Sequence, residues 1–172
     1  MPRLVLMRHA KAVPAGSVDD FERPLAQRGF DDSVVAAAWL NNQRWRIDEA
    51  LVSSALRTRQ TFESVGTHLN YPLAARFIQE IYDASAGEIL AQIRQTSLET
   101  LLVIGHSPGI PRLATVLARG GLPRDLLSGH GYPTSAISVL ESPAPFAQWE
   151  PEAASFVDFT VPRADDPGAL ND

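Results

Sequence analysis

The sequence predicts an α/β fold: a three-layer sandwich with a mostly parallel central sheet and helices on both faces. Three observations lead there. The short runs "LVLM" (4–7), "ALV" (50–52) and "LLVI" (101–104) are apolar without alternation, which suits strands buried on both faces. Apolar residues recur at helical spacing between and after these runs. Strands alternating with helices then imply right-handed crossovers in one sheet.

The elements follow in chain order. "LVLM" is the first strand, and Val34, Val35, Ala38 and Trp39 form the stripe of the first helix. "ALV" is the second strand, followed by a helix carrying Phe62, Val65 and Leu69. Ala86, Ile89, Leu90 and Ile93 mark another helix. After "LLVI", Ile110, Leu113, Ala114 and Leu117 fit the i, i+3, i+4, i+7 template. "SAISVL" (135–140) and "ASFVDF" (154–159) read as later strands near one edge, joined by the Pro-rich "ESPAPFAQ". "VPAGSVDDFERP" (13–24) and "RGGLPRDLLSGHGYP" (119–133) read as loops. There is no internal repeat and no low-complexity block.

The 172 residues suggest a single domain over 1–160. The polar tail 161–172, rich in Pro, Gly and Asp, is expected to be flexible. The chain has no cysteine, which excludes disulfides, thiolate catalysis and cysteine metal sites. A net charge of −5 argues against a broad nucleic-acid surface and leaves a local positive pocket open. No run is long enough to span a membrane. The N-terminus enters "LVLM" without signal-peptide architecture, so the expected location is cytoplasmic.

The chemistry gathers at strand ends. "LVLM" runs into Arg8-His9, "LLVI" into Gly105-His106, and "ALV" into Ser53-Ser54 with Arg57 a turn later. Ligands of open α/β sheets bind beyond the carboxyl ends of the strands. Two histidines and two arginines are therefore expected in one crevice. Arg8 and Arg57 are permanent cationic forks suited to phosphate or carboxylate. Ser53 or Ser54 is expected to cap one helix, and Ser107-Pro108 reads as N-cap and first residue of another. Both helix N-termini would then favour an anion at the same place. A neutral imidazole is a good nucleophile toward phosphorus, and His9, on a short turn at a strand end, takes that role. A protonated His106 would donate to a phosphoryl oxygen and, with the arginines, stabilise charge on the transferring group. His68 and His130 read as surface residues. No metal site and no nucleotide-binding glycine motif is present in the sequence.

These residues resemble the histidine phosphatase superfamily, whose signature is Arg-His-Gly near the N-terminus. Here the triplet is Arg8-His9-Ala10, with Ala in the third place. "VSSALRTRQT" (52–61) resembles the second block, "LVIGHSPGI" (102–110) the third, and "RPLAQRG" (23–29) the block that opens the first helix. The likeness runs from residue 3 to about residue 140. It implies a phosphohistidine intermediate on His9 and a phosphate site of Arg8, Arg57 and His106. It also implies a carboxylate general acid between the second and third blocks. Glu80, in "FIQEIYDASAGEI" (77–89), stands in the matching place, with Asp83 and Glu88 as rivals.

Within the superfamily the short chain is most similar to SixA-type bacterial phosphohistidine phosphatases. The segment between Arg57 and His106 has room for one helix and one more strand, and not for a large lid. Mutases of the superfamily need such lids to retain a small substrate. The expected function is a phosphatase without metal or cofactor, acting on phosphohistidine in a protein. A small phosphorylated metabolite is the alternative substrate. A non-catalytic phosphate-binding module is a third reading, disfavoured because a binder needs no nucleophile. Arg23 is a further candidate for substrate contact.

Overall fold

The structure is a computed structural model that describes residues 1–16, 18–127 and 131–165. Six strands form one sheet in the order β3-β2-β4-β1-β5-β6. The strands are β1 (Arg3–Arg8), β2 (Glu49–Ser53), β3 (Ala74–Ile78), β4 (Thr100–Gly105), β5 (Ile137–Glu141) and β6 (Ser155–Thr160). The helices are α1 (Gln27–Asn41), α2 (Leu56–His68), α3 (Ala86–Ile93), α4 (Gly109–Leu117) and the short α5 (Arg124–Leu127). The sheet is mixed. β3, β2, β4 and β1 pair in parallel, while β5 is antiparallel to both β1 and β6.

The apolar runs do what unbroken runs do, and fill both faces. Leu4 and Leu6 of β1 share a buried cluster with Ile89, Ile93, Ile110 and Leu113 of α3 and α4. Val5 and Met7 point the other way, into a cluster with Ala36, Ala37, Leu40 and Val65 of α1 and α2. Burying one such side chain contributes about 1.5–3 kcal/mol, so these two clusters carry the fold.

Several details differ from the sequence expectation. α1 buries Ser33, Ala36, Ala37 and Leu40 along with Val35, leaving Val34, Ala38 and Trp39 half-buried. Small residues let α1 sit close to the sheet, and Trp39 instead packs edge-on against Trp45 at 6.5 Å. The extra strand is β3, an exposed sheet edge whose "AARFI" lacks an apolar run. The region 119–133, expected to be all loop, contains α5. Of the expected tail, residues 161–165 are described. Pro162 is buried, and Arg163 Nη1 donates to the Thr134 carbonyl at 2.8 Å and to Asp32 at 3.3 Å. His130 and the tail from residue 166 lie outside the described residues. No helix among the described residues is long and apolar enough to cross a membrane.

Candidate active site

The register of β1 on β4 sets Arg8 beside Gly105, so His9 and His106 leave the sheet side by side. Their rings lie 5.3 Å apart. The turn after β1 is held by backbone hydrogen bonds: His9 N–H donates to the Gly105 carbonyl at 3.0 Å, and Ser135 N–H to the His9 carbonyl at 3.1 Å. α2 grips the same turn, because Ala10 N–H donates to Thr61 Oγ1, which donates in turn to the Arg57 carbonyl. The first turn of α2 carries Arg57 inward.

A cavity of about 420 Å³ opens at these strand ends. Arg8, His9, Arg57 and His106 all line it, as the sequence predicts. So do Arg23, Asp20, Tyr82 and Asp83. Glu80 does not. It is exposed and lines a neighbouring cavity of about 350 Å³, which shares Tyr82 and Asp83 with the first and also includes Glu88. The carboxylates on the His9 cavity itself are Asp20 and Asp83.

The tautomer of His9 follows from its neighbour. Nδ1 lies 2.7 Å from the Ala10 carbonyl oxygen, which can only accept. Neutral His9 therefore carries its proton on Nδ1, and Nε2 keeps a free lone pair. Burial, reinforced by His106, Arg57 and Arg8, pushes the His9 pKa down to about 3. His9 is thus neutral at pH 7, the form a nucleophile needs. Burial and then Arg57 push His106 down to about 3 as well. With that pKa His106 is neutral at pH 7. Its Nε2 lies 2.7 Å from Ser53 Oγ. An arriving phosphate dianion would favour the charged form again.

The arginines are held by groups the sequence did not single out. Arg8 Nη1 donates to the Tyr132 carbonyl at 2.8 Å, and the buried Tyr132 hydroxyl donates to the Leu6 carbonyl at 3.0 Å. Arg57 Nη1 donates to the Asp20 carbonyl at 2.7 Å, and Nη2 pairs with its carboxylate at 3.1 Å. Arg23 Nε meets the other Asp20 oxygen at 3.0 Å, and the Tyr82 hydroxyl donates to the carboxylate at 2.7 Å. These bonds, the one from Tyr82 foremost, hold the Asp20 pKa at about 2. Arg8 Nε, Arg57 Nε and His106 Nδ1 are buried without a protein partner among the described residues. Unpaired buried groups cost about 1–3 kcal/mol each, and such groups call for a functional explanation.

Neither expected side-chain cap forms. α2 is preceded by Ala55 with no capping side chain, and Ser53 is turned to His106 instead. Pro108, not Ser107, precedes α4. Gly109 is required by a close approach: a Cβ there would stand 2.5 Å from the Ala84 carbonyl oxygen. His68 is exposed on α2, as expected of a surface residue. Among the described residues, no group of three or more His, Cys, Asp or Glu could hold a metal ion.

A mixed α/β sheet whose strand ends gather two histidines and two arginines is the build of a histidine phosphatase. No known family profile matches the chain. An uncharacterised protein of Mycobacterium tuberculosis is 36% identical over 162 residues, covering 91% of this chain and all of that one. The phosphohistidine phosphatase SixA of Escherichia coli is 34% identical over 125 residues, 70% of this chain and 77% of that protein. A solved SixA-type protein from Agrobacterium tumefaciens superposes with a TM-score of 0.79 at 31% identity, covering 94% of this chain and 99% of that one. A SixA protein histidine phosphatase solved with tungstate gives 0.77 at 29% identity, covering 93% and 97%. The chain belongs to the histidine phosphatase superfamily, in its SixA-like branch.

Proposed function

We propose that the chain is a metal-independent phosphatase of protein phosphohistidine, built on a three-layer, mostly parallel sandwich. The observation that carries the reading is His9: neutral, its Nδ1 proton fixed on Ala10, among the cationic groups of Arg8, Arg57 and Arg23. In the proposed reaction Nε2 attacks phosphorus. The substrate ring takes a proton from solvent on its other nitrogen, its bond to phosphorus breaks, and it leaves with the electron pair as neutral imidazole. Water then attacks the phosphoryl group on Nε2, releasing phosphate and restoring His9. Arg8, Arg57 and His106 would stabilise the equatorial oxygens, supplying the charge that other phosphoryl-transfer enzymes draw from Mg²⁺.

Imidazole leaves well, because its conjugate acid has a pKa of about 6.5. An alkoxide needs a proton from a positioned acid. The family pattern points to Glu80 for that role, and the cavity lining favours Asp83. The names of the SixA relatives support phosphohistidine as the substrate. The test compares kcat/KM on a phosphohistidine protein with kcat/KM on alkyl phosphates, in excess EDTA. High activity on the first, unaffected by EDTA, is expected. Turnover of alkyl phosphates alone would promote the small-metabolite reading, and a strict need for added metal would overturn the charge assignment.

A further inference from the structure

A second cavity, of about 650 Å³, lies beside the first and shares Arg8 with it. Besides Arg8, its charged lining is Lys11, Arg28 and Arg163, with no carboxylate among the described residues that line it. Four cations on one cavity stand out in a chain of net charge −5. Like charges crowded together oppose folding, so such a cluster is informative. The crowding shows in the arginines: Arg57 and Arg163 help to lower the Arg8 pKa, and Arg28 helps to lower that of Arg163, in both cases after burial.

The sequence builds this patch on purpose-shaped backbone. Ala26 N–H donates to the Lys11 carbonyl at 2.9 Å. A Cβ on Gly29 would stand 2.2 Å from that same oxygen. Only glycine therefore lets the start of α1 land on the turn after His9, which brings Arg28 next to Lys11. Asp32, fully buried behind the cavity, bridges Arg28 at 3.4 Å and Arg163 at 3.3 Å. Its charge is spent on holding the two arginines in place. Lys11 is exposed, and its ammonium has no hydrogen bond or ion pair within the described residues.

We infer that this cavity is a specificity site for a second anionic group on the substrate: an Asp or Glu side chain next to the phosphohistidine of a protein. The inference rests on the phosphohistidine reading above and extends it. A ligand that fills both cavities meets Arg8 from two sides. The reacting phosphoryl lies toward His9 and the second anion toward Lys11 and Arg28. Lys11 and Arg28 are long, exposed rim cations, which suits a carboxylate approaching on a protein surface and raises encounter rates by steering.

The test uses two substrate pairs, each with and without a carboxylate near the phosphoryl group. One is a phosphohistidine peptide flanked by Glu or by Gln. The other is carboxyphenyl phosphate against phenyl phosphate. The parent chain should favour the acidic member of each pair about tenfold in kcat/KM, through KM, the combined worth of two rim ion pairs. Lys11→Ala with Arg28→Ala should erase that preference and leave kcat on the neutral members unchanged. Equal parent rates within both pairs would overturn the inference. So would a preference that survives the double substitution, or an equal loss on all four substrates. If the parent ignores both phosphohistidine peptides, the protein reading fails, and the aryl pair alone decides whether the cavity reads a second anion.

Discussion

The floor of the active-site cavity and its rim are built by different rules. On the floor, His9, Arg57 and His106 are 7%, 5% and 8% exposed. They follow or start regular elements, and the register of β1 on β4 fixes the two histidines. On the rim, Asp20 and Asp83 are exposed and lie in the short segments between the numbered strands and helices, Asp20 at the head of a 3-10 helix. In the proposed function the floor carries the chemistry common to any phosphoryl group, and the rim decides what leaves and which substrate docks, as loops on a rigid scaffold commonly do.

Substitutions should separate these layers by magnitude. His9→Ala removes the nucleophile and should lower kcat by several orders of magnitude on every substrate. Rapid quench of the parent with labelled substrate should trap an acid-labile, base-stable phosphoenzyme on residue 9. Label on His106 or on a serine would break the floor assignment. A rim substitution should instead depend on the leaving group. Asp83→Asn should cost roughly 10²–10⁴ in kcat/KM on an alkyl phosphate, the usual worth of a general acid, and less than about tenfold on phosphohistidine. Glu80→Gln, one cavity further away, should do less on both. A larger effect at Glu80 would return the acid role to the residue that the family pattern favours.

The smallest effect concerns stability. Both floor histidines have pKa values near 3 in the folded chain and about 6.5 when unfolded. Below pH 6.5 the unfolded chain binds protons that the folded one refuses. Stability is therefore full above pH 6.5 and falls as pH drops toward 3, by up to about 1.4 kcal/mol per pH unit for each histidine. Urea midpoints at pH 7.5 and 5.5 would show it. His106→Asn should flatten the slope, and an unchanged slope would place the acid sensitivity elsewhere.

Much of the floor was legible in the sequence because each residue adjoins an apolar run. "LVLM" and "LLVI" locate His9 and His106 without knowledge of any contact. The stripe of α1 was misplaced because "VVAAAW" satisfies several helical faces, and only the sheet selects the small one. One more strand was expected between Arg57 and His106, but β3 could not be located there because an edge strand needs no continuous apolar run. Asp20 and Tyr132 were missed, and Ser53 was read as a helix cap, because each works through a tertiary partner. For Asp20 a local signal did exist, in an acid three residues before Arg23. Glu80 was placed by family pattern, and sequence spacing does not say which of two adjacent cavities a turn will face.

The hold of Tyr132 on Arg8 bears on biosynthesis. Arg8, His9, Arg57 and His106 all emerge before residue 132, yet the carbonyl that fixes Arg8 and the hydroxyl that ties its loop to β1 come after them. The strand pairing that aligns the two histidines joins opposite halves of the chain, the kind of contact that forms late in folding. A nascent chain can thus display every reactive side chain and still lack a working phosphate site. On the proposed reading, a fragment that ends before residue 132 lacks the carbonyl that fixes Arg8 and so has no assembled phosphate site.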